Sequence, residues 1–380
     1  MHKRLLILGS RGVPAQYGEK ESLAEELALH LVQKGWRVTV YCQEDWSRTV
    51  PYETMWGRVR RVHIPVKQTG SVGQFMFYLK SVLHARKQAS MTLILDDQYA
   101  FLSIFQRLRG KVAIFHLGSR PQLNPHNHFL SRMWARFNEK MACLLGDYFI
   151  VDNAEIINYF QLNITKDNSY LIPSGALAIT DASTTDLRQL GLESGKYVLI
   201  DALAQPENSL LEIVQAFSQE QRRHQLVVVG AFDDDNPYHQ RVLVSASDEV
   251  KFIGPIHDKT TLRALRYHSL LFVHGHQLGG TSLSLVESLA AGSPIIAFDT
   301  PSTRWVCAEA ALYFNDSTSC AAQLHRLLNE PELRAGLKQA ARLRHAELFT
   351  LDSMLTAYEN VLTALNPYQP LAEDDSELHP

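Results

Sequence analysis

Leu5-Leu6-Ile7-Leu8 runs directly into Gly9-Ser10-Arg11-Gly12-Val13-Pro14-Ala15-Gln16-Tyr17-Gly18. The apolar run is too short for a helix and ends at a glycine, so it predicts a buried strand. Beyond the loop, Leu23, Leu27 and Leu31 recur at four-residue spacing, which predicts a helix over about Glu21 to Lys34, stopped by Gly35. Arg37 to Tyr41 then predicts a second strand. A strand, a crossover helix and a strand build a parallel sheet.

The same alternation continues along the chain. Strands are expected at Arg61 to Ile64, Thr92 to Leu95, Val112 to Phe115 and Tyr148 to Val151, with helices at Phe75 to Lys87 and Arg132 to Leu145. A second series begins near Lys196. Its strands are expected at Tyr197 to Ile200, Leu226 to Val229, Val250 to Ile253, Leu270 to Val273 and Pro294 to Phe298. Its helices are expected at Leu210 to Ser218, Tyr238 to Ser245, Thr261 to Tyr267 and Leu283 to Ala291. Helical stretches follow near Ser319 to Leu328, Glu332 to Leu348 and Asp352 to Leu365. The expectation is an α/β protein of two Rossmann-like domains facing across a cleft, with C-terminal helices, joined around Pro173 to Ser194. The segments are 1–175, 176–350, a closing helix over 351–365 and an acidic tail over 366–380.

The chain has 380 residues, 46% hydrophobic and 20% charged, with net charge −3. These values suit two globular cores and exclude a disordered chain or a dedicated nucleic-acid binder. Cys42, Cys143, Cys307 and Cys320 are scattered, with no CxxC pair, which points to a reducing compartment. The N-terminal apolar run is too short for a signal peptide, and no stretch approaches the ~20 residues of a membrane span. A cytoplasmic protein is expected.

In open α/β sheets, ligands bind at the carboxyl ends of strands. Gly9, Gly12 and Gly18 lie at one such end and open onto a helix whose N–H groups favour an anion. The loop reads equally as a structural turn, and its spacing does not fit the dinucleotide fingerprint G-x-G-x-x-G, so a nicotinamide dehydrogenase is poorly supported. A second strand end reads His274-Gly-His276-Gln-Leu-Gly279-Gly280-Thr281-Ser282-Leu-Ser-Leu-Val-Glu287. Gly279 and Gly280 allow close backbone approach, and Thr281 or Ser282 can cap the next helix. Glu287, inside that helix, can accept hydrogen bonds from the two hydroxyls of a ribose while the helix N-terminus holds a diphosphate. His274 and His276 lack a third ligand for a metal and read as loop or wall residues. His116 ends a strand of the first half, facing the cleft or the core. Between Phe101 and Gly146, Arg107, Arg109, Lys111, Arg120, Arg132, Arg136 and Lys140 face one acid, Glu139, and interleave with Phe129, Met133, Trp134 and Phe137. That pattern fits an anionic bilayer or lipid diphosphate, or a plain basic surface helix.

These residues together, over the span to about Leu348, resemble family 4 of the retaining glycosyltransferases, in its bacterial rhamnosyltransferase-like branch. The branch opens with approximately G-[ST]-R-G-[IV]-P-A-x-Y-G-G-F-E-T, matched by Gly9 to Ser22, and carries a late motif close to H-G-H-x-x-G-G-T-N-P-S-L-x-E, matched by His274 to Glu287. Pro206-Glu207-Asn208, Val228-Val229-Gly230 and Phe252 to Asp258 also look like the branch.

The resemblance implies a GT-B fold and a nucleotide-sugar donor, dTDP-rhamnose among the candidates, held by the C-terminal domain. It also implies a saccharide or lipid-linked acceptor on the N-terminal domain, work in surface polysaccharide synthesis at the inner face of the cell membrane, and no metal or other cofactor. On it, Gly279, Gly280, Thr281, Glu287, Gly12 and Arg11 bind donor, Tyr17 and Gly18 shape the acceptor side, and Arg304 and His116 serve catalysis. Oligomeric state stays open.

Several positions depart from the branch. Glu19 and Lys20 replace a glycine and an aromatic, Leu117 stands in place of an Asp, and Ser174 in place of a Tyr. Asp201 to Gln205 lacks the arginine usual before Pro206. Ser282, Leu283, Thr303 and Trp305 also differ. Lys259 and Arg11 are further cations that can substitute at the leaving group. These departures raise an alternative: a catalytically silent relative acting as partner or regulator of an active transferase.

Overall fold

The computed structural model describes residues 3–15, 18–45, 49–67, 70–88, 91–118, 128–160 and 164–366. Two parallel-rich sheets carry the two halves. The first half comprises β1 (Arg4–Leu8), α1 (Glu19–Gln33), β2 (Arg37–Asp45), β3 (Tyr52–Trp56), β4 (Val59–Val66), α2 (Gly70–Ala85), β5 (Met91–Ile94), α3 (Ile104–Arg107), β6 (Ala113–Leu117), α4 (Phe129–Leu145), β7 (Tyr148–Val151), α5 (Ala154–Phe160) and β8 (Ser169–Leu171). Its strands lie in the order β3-β4-β2-β1-β5-β6-β7-β8. All pair in parallel except β3, which forms a hairpin with β4 across Gly57. Leu5 to Leu8 is buried on both faces, as a central parallel strand requires. On α1 the buried side chains Ala24, Leu27, Ala28 and Leu31 form the stripe that covers the sheet.

The second half runs α6 (Thr185–Gln189), β9 (Tyr197–Asp201), α7 (Leu210–Ser218), β10 (Gln225–Val229), α8 (Pro237–Val244), β11 (Val250–Gly254), α9 (Lys259–His268), β12 (Leu271–His274), α10 (Leu283–Ala291), β13 (Ile295–Phe298), α11 (Pro301–Cys307), β14 (Ala311–Phe314), α12 (Ser317–Asn329), α13 (Pro331–Leu348) and α14 (Leu351–Ala364). Its strand order is β11-β10-β9-β12-β13-β14. The order reverses beside β9 and β12, and there the carboxyl ends of both strands open on the cleft.

The expected alternation is present, with β2 and β4 longer at their carboxyl ends. Three strands escape the apolar reading. β3 alternates exposed and half-buried residues at a sheet edge, β8 is three residues long, and β14 follows a tight turn. The stretch expected as a linker, Pro173 to Ser194, contains α6, whose Leu187 joins the second core.

The chain crosses between the halves twice, and the crossings touch. Ala176 N–H donates to Phe349 C=O at 2.9 Å, and Leu351 N–H donates to Ala176 C=O at 3.0 Å. His345 adds a ring nitrogen 2.9 Å from the same Ala176 oxygen. After the second crossing, α14 packs Met354, Leu355, Tyr358 and Leu362 onto the first core. Gly175 sits at this junction, where a Cβ would lie 2.5 Å from Thr350 C=O. Backbone cannot yield there, so Gly175→Ala is expected to cost roughly 1–3 kcal/mol by overpacking. Thermal unfolding of the variant beside the wild type checks this, as a Tm lowered by several degrees.

Candidate donor-binding cleft

The cleft is built on strand ends of both sheets. In the second domain β12 delivers His274, after which the chain turns through Gly275 to Ser282 into α10. The Pro206 to Asn208 turn supports that loop from beneath. His276 Nδ1 lies 2.7 Å from Asn208 Oδ1, Gln277 N–H donates to Glu207 C=O at 2.8 Å, and Ser209 Oγ donates to Gly275 C=O at 2.7 Å. A Cβ on Gly275 would fall 2.1 Å from Asn208 C=O, which explains the glycine.

The loop also docks on the first domain. Thr281 Oγ donates to Asp152 C=O at 2.9 Å, and Thr281 N–H donates to the Asp152 carboxylate at 3.3 Å. Asn153 Nδ2 donates to Ser302 C=O at 3.4 Å. Gly280 lies so close to Asp152 that a Cβ would approach its Oδ1 to 2.4 Å, and Gly279 takes a left-handed φ of +100°. Ser302 Oγ donates to Gly279 C=O at 3.0 Å. The expected phosphate residues therefore part company. Gly280 and Thr281 carry the contact between domains, while the start of α10 faces the cleft.

Glu287 is one-third exposed, and its Oε2 lies 2.9 Å from Arg266 Nη2. Arg266, on α9, is 4% exposed and also ion-pairs Asp201 at the end of β9. One guanidinium thus holds two carboxylates from separate βα units. Burial raises the Glu287 pKa; Arg266 opposes the shift and Asp201 reinforces it. Lys259 opens α9 near Glu287 and Glu26, where its charge partly opposes the burial that raises both carboxyl pKa values. Asp201 and Arg266 fall outside every motif, because nothing in their spacing announces that the fold brings them to Glu287.

In the first domain, Gly9 takes φ +94°, and a Cβ there would lie 2.6 Å from Asp96 N. A Cβ on Gly12 would meet Cys42 at 2.8 Å, so both glycines are demanded by packing. Arg11 N–H donates to Glu21 Oε1 at 2.7 Å, so the loop folds back on α1. Gly18, φ +99°, precedes α1, and Tyr17 lies outside the described residues. Glu19, the first residue of α1, reaches across the cleft, and its Oε1 accepts from Leu283 N–H at 2.8 Å. Lys20 turns instead to Asp96, 2.7 Å away.

His116, half-buried at the end of β6, is held neutral. Burial and then the Lys20 charge push its pKa down to about 4. Asp97 nearby is pushed up to about 7 by burial and then by Asp96. Arg304 lies on α11, where its Nη2 donates to Asp299 Oδ2 at 2.8 Å and its guanidinium stacks over Tyr313 at 4.3 Å. Asp299 lines a cavity of about 270 Å³ with Glu155, Gln277, Gly279 and Ser302. Arg304 therefore meets the cleft through Asp299. Among the described residues no cluster of three His, Cys, Asp or Glu side chains is arranged to hold a metal.

His274 is buried, and burial together with His276 pushes its pKa down to about 3. An unfolded histidine titrates near ~6.5. As pH falls below that value the unfolded chain takes up protons that the native His116 and His274 refuse, so stability falls on acidification. Equilibrium unfolding at pH 7 and pH 5 is expected to show this loss, reduced in a His116→Gln, His274→Gln double variant.

The residues 184–344 match the family of glycosyl transferases group 1. No curated protein matches the chain. Among solved structures, a sucrose-phosphate synthase from Thermosynechococcus elongatus superposes with a TM-score of 0.80 at 16% identity, covering 96% of this chain and 99% of that one. The Anabaena protein Alr3699/HepE, in complex with UDP-glucose, gives 0.74 at 14% identity, covering 96% and 100%. An α,α-trehalose-phosphate synthase (UDP-forming) from Burkholderia xenovorans, in complex with glucose-6-phosphate, gives 0.73 at 14% identity, covering 95% and 100%. The fold is that of the GT-B glycosyltransferases, and the second domain carries the group 1 family match.

Proposed function

We propose that this protein is a group 1 glycosyltransferase that moves a sugar, with retention, from a nucleoside-diphosphate donor to a saccharide or lipid-linked acceptor. The observation that carries the reading is the start of α10: a helix N-terminus open to the cleft, with Glu287 in its second turn and Lys259 and Arg266 beside it. The first-turn amides, which have no acceptor in the helix's preceding turn, and the helix dipole favour a diphosphate. Arg266 holds one oxygen of Glu287 in place, which leaves the carboxylate oriented to accept from ribose hydroxyls. Departure of the nucleoside diphosphate concentrates negative charge there, so Lys259, Arg266 and the α10 amides act most strongly in the transition state. On this reading Arg11 and Gly12 back the diphosphate, and Gly18 and His116 border the acceptor. A neutral His116 serves as a hydrogen-bond partner to a hydroxyl rather than as a cation. Arg304 acts as a positioning residue through Asp299. The solved structures named above with UDP-glucose or glucose-6-phosphate support a sugar nucleotide and a sugar. The rhamnose donor and a role in surface polysaccharide rest on the sequence motifs.

A silent relative is the second reading, favoured by the Glu19 carboxylate on Leu283 N–H. Release of nucleoside diphosphate from a panel of sugar nucleotides separates the two: turnover sustains the enzyme, and binding without turnover sustains the silent relative.

Calorimetry with UDP, GDP, ADP and dTDP tests the donor site. Glu287→Gln is expected to weaken binding about 10- to 100-fold, the equivalent of ~1.5–3 kcal/mol for hydrogen bonds to a charged group. Millimolar titrations with no heat for any nucleotide would sink the assignment.

The acceptor side supports work at a membrane surface. α4 leaves Phe129 70% and Leu130 74% exposed, and Met133, Trp134 and Phe137 follow along it. Arg132, Arg136 and Lys140 lie on the same helix and Arg107 beside it, while Arg120 lies outside the described residues. Exposed aromatics flanked by cations suit an anionic bilayer interface. No helix of the described residues is long and apolar enough to cross a membrane. Liposome flotation is expected to recover the protein with anionic vesicles at low salt, and much less with neutral vesicles or at 0.5 M salt, estimated at a Debye length of about 4 Å. Trp134→Glu is expected to abolish recovery.

A further inference from the structure

We propose that Glu19 is a built-in anion that occupies the phosphate position of the donor cleft and sets how tightly the donor binds. The inference rests on the donor site proposed above. Glu19 belongs to the first domain, yet its carboxylate accepts from Leu283 N–H, the first helical amide of α10 in the second domain. It also stands at the N-terminus of its own helix, α1. One carboxylate therefore lies between two helix starts that favour negative charge. A phosphate arriving at α10 meets an amide already engaged and a charge of its own sign.

The surroundings do not neutralise Glu19. Glu19 keeps solvent access within the cleft, but the protein walls around its carboxylate displace enough water to be the largest cause raising its pKa; Glu287 on α10 and Asp201 at the end of β9 add to this by repulsion, while the Leu283 N–H and Lys20 lower it. Lys20 is committed to Asp96 at 2.7 Å, and Arg266 is committed to Asp201 and Glu287. Lys259 on α9 faces Glu287 and Glu26. The carboxyl therefore takes a proton at a higher pH than an ordinary glutamate. Protonation removes the charge that competes with phosphate and weakens its hold on Leu283. Donor affinity is thus low when Glu19 is ionised and rises as pH falls through its titration. Glu287 also titrates high, so the effect belongs to Glu19 only if it disappears on changing Glu19 alone.

Calorimetry tests this with wild type, Glu19→Gln and Glu19→Ala, each titrated with UDP, GDP, ADP, dTDP and inorganic pyrophosphate at pH 6 and pH 8. Melting curves confirm that the variants are folded. At pH 8 both variants are expected to bind the preferred nucleotide at least tenfold more tightly than wild type. The gap between wild type and the variants is expected to narrow from pH 8 to pH 6, and the nucleotide's own titration cancels because it is common to all three proteins. Equal affinities with parallel pH profiles overturn the role of Glu19 and leave the donor site standing. Weaker binding by both variants makes Glu19 a ligand contact and likewise overturns the proposal. Absence of binding by all three proteins removes the donor site itself, and the proposal with it.

Discussion

The first amides of a helix have no acceptor within the helix, and α10 turns its own toward the space between two domains. Something negative must meet them. In this structure Glu19 does so from across the cleft, through Leu283 N–H. The requirement organises much of the surrounding architecture. Arg266 is buried because Asp201 and Glu287 share its charge, and a guanidinium without them would be left unpaired in the interior at considerable cost. Lys20 beside Glu19 is drawn off to Asp96, so its charge is shared with a second carboxylate and not spent on the one that reaches Leu283.

Closure of the cleft uses a separate set of groups. Thr281 and Gly280 seat against Asp152, and Asn153 bonds Ser302. Behind them, Ala176 and the Phe349 to Leu351 stretch hydrogen-bond as the chain leaves and re-enters the first domain. The two crossings are tied to each other by backbone bonds, while each sheet is covered by its own apolar core. Gly280 serves this contact, since a Cβ there would strike Asp152, while Gly275 is demanded within the second domain, where a Cβ would strike Asn208.

The acidic side chains of α1 give the first loop a similar character. Glu21 accepts from Arg11 N–H, and Glu25 accepts from Ala15 N–H. These two loop amides are thereby satisfied by the helix they lead into, and the glycines at 9 and 12 are demanded by packing against Asp96 and Cys42. A glycine-rich loop before a helix is thus compatible with both a structural turn and an anion site, and the partner of each amide decides between them.

Periodicity and the glycine loops determined the fold class, because apolar runs ended by glycine and helices with leucine at four-residue spacing admit few arrangements other than parallel α/β layers. The late motif likewise located α10 and Glu287, since the glycine turn and the carboxylate are local features of one βα unit, whereas the side-chain cap expected from Thr281 or Ser282 does not form: Thr281 turns to Asp152 and Ser282 to Ser284. Edge strands such as β3 were not legible, because a half-exposed strand has little apolar pattern to read. Nor was the charge balance of the cleft. Asp201, Arg266 and Glu287 lie on three different elements, and Glu19 meets Leu283 from 264 positions away. Arg304, placed by sequence one strand beyond the glycine loop, turned to Asp299 within its own turn. Local order is written in short-range spacing, but which charges neutralise one another depends on distances through space, and only the packing of two sheets sets those.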